Sequence, residues 1–157
     1  MSLLPLFQAV ESSAVGNAIR DSVWLFPAIE GVHLLALALI GGAVLIVDMR
    51  LLGLFLKRHP VEYLAAQVSP YLVGALATMI VTGLLLFSSE AIKCYYNTAF
   101  WWKMTFLALA TIFTFTVRRM VTSDEMRFGP VWAKLVALSS VALWSGVGIG
   151  GRWIGFS

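Results

Sequence analysis

Residues 24–55 read WLFPAIEGVHLLALALIGGAVLIVDMRLLGLF. Between Glu30 and Asp48 the stretch carries no Asp, Glu, Lys or Arg, and His33 is its only ionisable side chain. A helix needs about 20 apolar residues to cross the hydrocarbon core of a bilayer. This run is longer, so a helix over it must tilt or protrude. Pro27 falls in its first turn, where a missing N–H costs little. Three further apolar runs follow, roughly Tyr63–Phe87, Phe100–Val117 and Val131–Phe156. Ser69-Pro70 marks a kink in the early turns of the second. Each run is predicted to be helical, because a lone open strand cannot satisfy its backbone in lipid. The expected fold class is therefore all-α: an integral-membrane, antiparallel four-helix bundle over residues 23–157.

Composition agrees with this reading. Hydrophobic residues make up 60% of the 157-residue chain and charged residues only 12%, whereas a soluble domain carries about 25% charge. So small a domain cannot hide that much apolar surface in a core, and lipid must cover the excess. The net charge of +3 does not point to nucleic acid, since the basic residues sit in short clusters between apolar runs. Cys94 is the single cysteine, so no internal disulfide forms. The absence of CxxCH excludes c-type haem attached through the usual motif. Met1–Val10 has no basic leader, and Pro5 breaks its apolar stretch, so it does not read as a cleaved signal peptide. Over residues 3–20, Leu3, Phe7, Val10, Ala14 and Ala18 recur at helical spacing. They predict an amphipathic helix lying in the interface within an N-terminal segment 1–22; the alternative is a frayed tail.

The loops carry the orientation. Lys57 and Arg58 follow the first span, and Arg118, Arg119, Arg127 and Lys134 surround the loop between the third and fourth. By the positive-inside rule these loops face the cytoplasm, and both termini and Cys94 face the periplasm. Trp24, Trp101, Trp102 and Trp153 fall at the outer boundary. Ala38/Gly42 and Gly146/Gly150 are four apart and permit close helix contact in lipid, within the chain or between copies in a homo-oligomer. The steps Val81-Thr82-Gly83 and Trp144-Ser145-Gly146 hint at a duplicated two-helix unit.

Charge at membrane depth needs a reason. Glu30 and His33 share a helix face by spacing. Lys103 at the start of the third span and Arg152 at the end of the fourth lie at the same outer level. The four are expected to converge, with Glu30 paired to Arg152 or Lys103. The alternative for the two basic residues is snorkelling to headgroups. Asp48 and Arg50 lie near the inner end of the first span. They read as structural, pairing with other helices or headgroups. A bis-histidine haem needs two facing histidines, but His59 lies at the opposite end of the first span. His33 would have to pair with a methionine such as Met79, or with a second His33 across a two-fold axis. As a metal ligand His33 has only Glu30 beside it, too few for closed zinc coordination.

Trp24–His33, Asp48–Gly53, Asn97–Lys103 and Gly151–Ile154 together resemble small bacterial four-helix inner-membrane proteins, mostly uncharacterised and grouped with CopD-like copper-resistance proteins. The resemblance spans residues 24–156. It implies a bacterial inner-membrane location and a four-helix bundle, with haem b or copper as ligands. The expectation is a membrane-embedded cofactor- or small-ligand-binding protein. Haem b is the leading ligand, with His33 ligating and Glu30, Lys103 and Arg152 anchoring propionates or partner charges. A quinone is the close competitor, since a histidine beside tryptophans can hold its carbonyl and ring. A copper-handling protein and a structural subunit are the remaining alternatives. No hydrolytic, paired-carboxylate or phosphate motif stands out.

Overall fold

The computed structural model describes residues 3–156. Met1, Ser2 and Ser157 lie outside it, and with them the outermost residues of both expected segments. Among the described residues every regular element is a helix. Two short helices, α1 (Leu4–Glu11) and α2 (Ala14–Asp21), precede α3 (Leu25–Leu51) and α4 (Val61–Ser89). A short α5 (Ala91–Tyr96) leads into α6 (Thr98–Phe113), which continues through a π-helical turn (Thr114–Arg118) into α7 (Arg119–Ser123). The last helix is α8 (Glu125–Ile154). Four stretches, Leu25–Leu51, Val61–Ser89, Thr98–Ser123 and Glu125–Ile154, are long and apolar enough to cross a membrane. The protein is a multi-pass membrane protein built as a helical bundle.

The bundle is inside-out relative to a soluble one. Leu34, Leu35, Leu39, Leu45, Ile80, Val81, Leu84, Leu109 and Ile112 are exposed, forming an apolar belt that lipid covers. The interior of the middle section is small and apolar: Ala36, Ile40, Ala43 and Val44 of α3, Ala75, Leu76 and Met79 of α4, Ala110 of α6, Trp144 and Val147 of α8. A second apolar cluster lies nearer the end of the bundle that carries the Lys57 and Arg127 loops (the inner end by label only, the opposite end with Cys94 being the outer), around Val47, Leu51, Leu64, Val121, Val136 and Ala137. The helices pack in the spatial order α4–α3–α8–α6. α4 meets the third span mainly through α7 at the inner end, so a seam runs between α4 and α6.

Each of the two main hairpins, α3/α4 and α6/α8, is notched by a glycine of its second helix. A Cβ at Gly83 would stand 3.2 Å from His33 Cε1, and one at Gly146 would stand 2.5 Å from Phe106 Cδ1. The two short Thr/Ser-Gly steps thus share a packing role at their glycines, each admitting a ring from the preceding helix. The hydroxyls do not share a role, because Thr82 is buried and Ser145 is exposed. Gly150 lets the Lys103 backbone approach, with a Cβ there 3.4 Å from Lys103 N. Ala38 and Gly42 behave differently: both are exposed, and nothing lies within 4 Å of a Cβ at Gly42.

The N-terminal segment differs from a single amphipathic helix. The helix breaks at Ser12–Ser13, where the Ser13 hydroxyl accepts from the Gly16 N–H at 3.1 Å and starts α2. The break moves the buried face: Phe7, Gly16 and Ile19 are buried, whereas Leu3 and Ala18 are exposed. Both helices dock on the outer end of the bundle. The Phe7 ring packs edge-on against Phe87 and Tyr95 at 5.2 and 5.1 Å. Glu11 Oε2 accepts from the Ile92 N–H at 2.6 Å, and Arg20 donates to the Ser89 carbonyl at 3.1 Å. At the other end, Gly129 has φ 76°, so α8 kinks there and restarts at Pro130.

Candidate functional site

Three features could carry function: an outer polar chain, an inner ion pair and an outer cleft. The outer chain is centred on His33, which α3 turns toward α4 and α6. The Thr82 hydroxyl donates to the Thr78 carbonyl at 2.7 Å, so its oxygen is left to accept from His33 Nδ1–H at 2.9 Å. That assignment puts the Nε2 lone pair toward Lys103, whose ammonium donates to it over a long 3.4 Å contact. Three helices are thus joined through one imidazole.

The expected convergence of four residues is met only by His33 and Lys103. Glu30 is exposed, and neither Lys103 nor Arg152 comes within ion-pair distance of it among the described residues. Arg152 is also exposed and stacks its guanidinium over the Phe156 ring at 4.8 Å. The physical reason is helical phase. Burying His33 against α4 leaves Glu30, one turn earlier, on the rim of that face, where headgroups and water solvate it more cheaply than a buried partner would.

The inner ion pair joins Asp48 of α3 to Arg118 of the π-turn. Arg118 Nε donates to Asp48 Oδ1 at 2.8 Å, and its Nη2 donates to the Val44 carbonyl at 3.2 Å. Asp48 is 0% exposed and Arg118 5%. Among the described residues Asp48 Oδ2 and Ser140 Oγ make no close hydrogen bond, although the Ser140 side chain lies near enough to the carboxylate to interact with it. Sequence reading had Asp48 seeking another helix, which it does. It assigned Arg118 to the loop cluster, whereas the side chain is buried in the bundle against Asp48. The extra residue accommodated by the π-turn rotates Arg118 inward. The turn's Thr114 hydroxyl also accepts from Trp144 Nε1–H at 3.0 Å. Arg50 stays at the surface, with Glu125 at 3.5 Å and the His59 carbonyl at 2.7 Å.

The cleft has a volume of about 810 Å³ and lies at the outer end between α6 and α8. Trp102, Phe106, Ile149 and Trp153 form its apolar walls, with Tyr96, Lys93 and Thr98 toward the α5–α6 corner. Trp102 stacks on Phe106 at 6.0 Å between centroids. Sequence reading placed the tryptophans at the boundary but did not foresee a cavity between them, because α5 was not legible in it.

The residues around His33 do not fit haem b. The imidazole is 8% exposed, Gly83 touches its edge, and Lys103 faces the nitrogen that iron would need. Met79 is 2% exposed within the apolar core. The cleft wall includes none of His33, Met79 and Lys103. A metal at His33 also lacks companions: no three His, Cys, Asp or Glu side chains assemble among the described residues.

Comparison with known families matches residues 7–157 to a family of unknown function (DUF6644), and the chain belongs to that family. No curated protein and no solved structure matches.

Proposed function

We propose that the protein is a membrane-embedded binding protein for a small lipophilic ring compound of the quinone class, held in the outer cleft. The observation that carries this reading is the cleft itself. Its aromatic walls suit a flat ring, its open side admits an isoprenoid tail from lipid, and Lys93 and Thr98 offer donors to ring carbonyls. The chemistry required of the protein is binding and orientation, with no bond made or broken. Haem b at His33 is the weaker reading for the steric reasons above. Copper handling, which a CopD-like kinship would imply, is weaker still, because the bundle centre supplies no polar path.

In this reading both termini and the cleft face the periplasm of a bacterial inner membrane, and the basic loops face the cytoplasm. The outward Ala38/Gly42 face suits a second copy of the chain. The test is a titration of the detergent-solubilised protein with a short-chain quinone, followed by tryptophan fluorescence. Ile149→Trp fills the cleft and should weaken binding at least roughly tenfold, while Trp102→Leu should weaken it roughly fivefold. His33→Ala should leave the affinity unchanged. Equal affinity in the Ile149 variant, or a Soret absorption band that His33→Ala removes, would overturn the proposal.

A further inference from the structure

A second cavity, of about 360 Å³, opens on the seam between α4 and the end of the third span, at the opposite end of the bundle from the outer cleft. Its charged lining residues are Glu62, Arg118 and Arg119. Glu62 and Arg119 are both exposed, and neither makes an ion pair among the described residues. Opposite charges therefore line one groove without neutralising each other. Arg118 is fixed from behind by Asp48 and the Val44 carbonyl, through Nε and Nη2. Among the described residues its Nη1 makes no hydrogen bond, and the residue, although only 5% exposed, lines the groove.

The order of these groups along the membrane normal follows from the two antiparallel helices. α4 enters at this end, so Glu62 in its first turn lies outermost and Ser69 about two turns deeper. The third span leaves here, so Arg118 and Arg119 lie about one turn deeper than Ser123, and Thr114 one turn deeper again. Below them the wall turns apolar with Leu72 and Val73, and Phe115 flanks Thr114 at the same depth. From water toward lipid the sequence is carboxylate, guanidinium pair, hydroxyls, hydrocarbon.

We propose that this groove binds a phospholipid whose headgroup carries a phosphate and a primary ammonium, a phosphatidylethanolamine. The ammonium meets Glu62, the phosphate meets Arg119 and the free Nη1 of Arg118, the glycerol esters lie beside Ser69 and Thr114, and one acyl chain follows Leu72 and Val73. Glu62 sets the selectivity. A phosphatidylglycerol headgroup brings it no ammonium to offset its charge against the phosphate, and it can accept hydrogen bonds from a primary ammonium but not from a quaternary one.

The experiment uses the full-length, delipidated protein in mild detergent. Native mass spectrometry reads the relative affinities of phosphatidylethanolamine, phosphatidylcholine and phosphatidylglycerol with identical acyl chains. Phosphatidylethanolamine should bind roughly three- to fivefold tighter than phosphatidylcholine, and tighter than phosphatidylglycerol. Glu62→Gln should bring the first two within about twofold, and Arg119→Gln should weaken all three roughly tenfold. Both positions are exposed, so the fold does not depend on them. Equal binding of ethanolamine and choline lipids by the unaltered protein would overturn the proposal. So would tighter phosphatidylglycerol binding, or discrimination that survives Glu62→Gln. Displacement of the lipid by free O-phosphoethanolamine at comparable concentration would also overturn it, by making a soluble headgroup the occupant.

Discussion

The two buried polar layers of the bundle solve the same problem in opposite ways. At the inner layer, Asp48 and Arg118 cancel each other in direct contact, and the arginine is further tied to a backbone carbonyl. At the outer layer, Lys103 pairs with no carboxylate among the described residues and reaches the ring nitrogen of His33. The inner layer is a directly paired unit whose parts are costly to separate, even though Arg118 also borders the groove. The outer layer is a chain of neutral or singly charged donors and acceptors, and it joins helices with less energy at stake. Charge at depth, taken alone, does not reveal which kind of layer a residue belongs to.

The largest expected effect comes from breaking the inner unit. Arg118→Ala leaves a fully buried carboxylate without a counter-charge and should destabilise the bundle by about 3–5 kcal/mol. The charge-free pair Asp48→Leu with Arg118→Leu should recover most of that loss. Unfolding titrations in mixed micelles measure both, and equal losses in the single and double variants would show that the pair is not a unit.

Next come the two glycine notches, which test how alike the hairpins are. Gly146→Ala drives a methyl into the Phe106 ring and should cost about 1–3 kcal/mol. Gly83→Ala meets the edge of His33 less severely and should cost less than about 1 kcal/mol. The reverse ranking by thermal unfolding would mean that the His33 notch is the tighter of the two.

A loss of about 1–2 kcal/mol, well below that of Arg118→Ala, is expected for His33→Ala, because both neighbours lose hydrogen-bond partners but Lys103 can relax toward headgroups. Thr82→Val should do less, since it removes one link and leaves the Lys103 contact intact. A His33→Ala loss as large as that of Arg118→Ala would erase the contrast between the layers.

The last effect is one of rate and reports on the outer end. Burial is the main cause that pushes the Cys94 thiol up to about 11, with Glu90 adding to it. The reactive thiolate is therefore scarce at neutral pH. Labelling by a membrane-impermeant maleimide should be slow there and rise about tenfold per pH unit up to that value. It should occur from the side opposite the Lys57 and Arg127 loops. A flat pH profile, or labelling from the loop side alone, would contradict the burial or the orientation respectively.

The four spans were legible because hydrophobic run length depends on bilayer thickness and little on partners. The expected ends of the spans shifted by a turn or less at most positions, and the kink at Gly129 that lets α8 begin at Glu125 rather than near Val131 went unread. The glycines Gly146 and Gly150 were correctly read as contact points, whereas Ala38 and Gly42, identical in spacing, face outward. Spacing establishes that a face exists but not which neighbour it meets. Arg118 was misplaced because a π-turn leaves no mark in the pattern of apolar residues Phe113, Phe115 and Val117. Of the candidate site, His33 and Lys103 meet as their shared level allowed. Glu30 and Arg152 lie at that same level and miss each other, since depth along the membrane normal fixes only one of three coordinates. The cleft depends on the short helix α5, whose six residues carry too little periodicity to be read.

Between the two polar layers lies a section without ionisable charge. Residues 34–47 of α3, 68–86 of α4, 104–117 of the third span and 135–151 of α8 contain no Asp, Glu, Lys, Arg or His. The fifteen-residue step from His33 to Asp48 along α3 corresponds to about 22 Å of helix. Most of a transmembrane voltage falls across such a low-dielectric slab, at about 2.3 kcal/mol per elementary charge per 100 mV. Lys103 and the Asp48–Arg118 pair stand at the two edges of that drop, and no side chain within it can carry charge from one to the other. The bundle behaves as a plug of insulation: its stability should be indifferent to polarisation of the membrane, and a voltage step should draw no gating current from it.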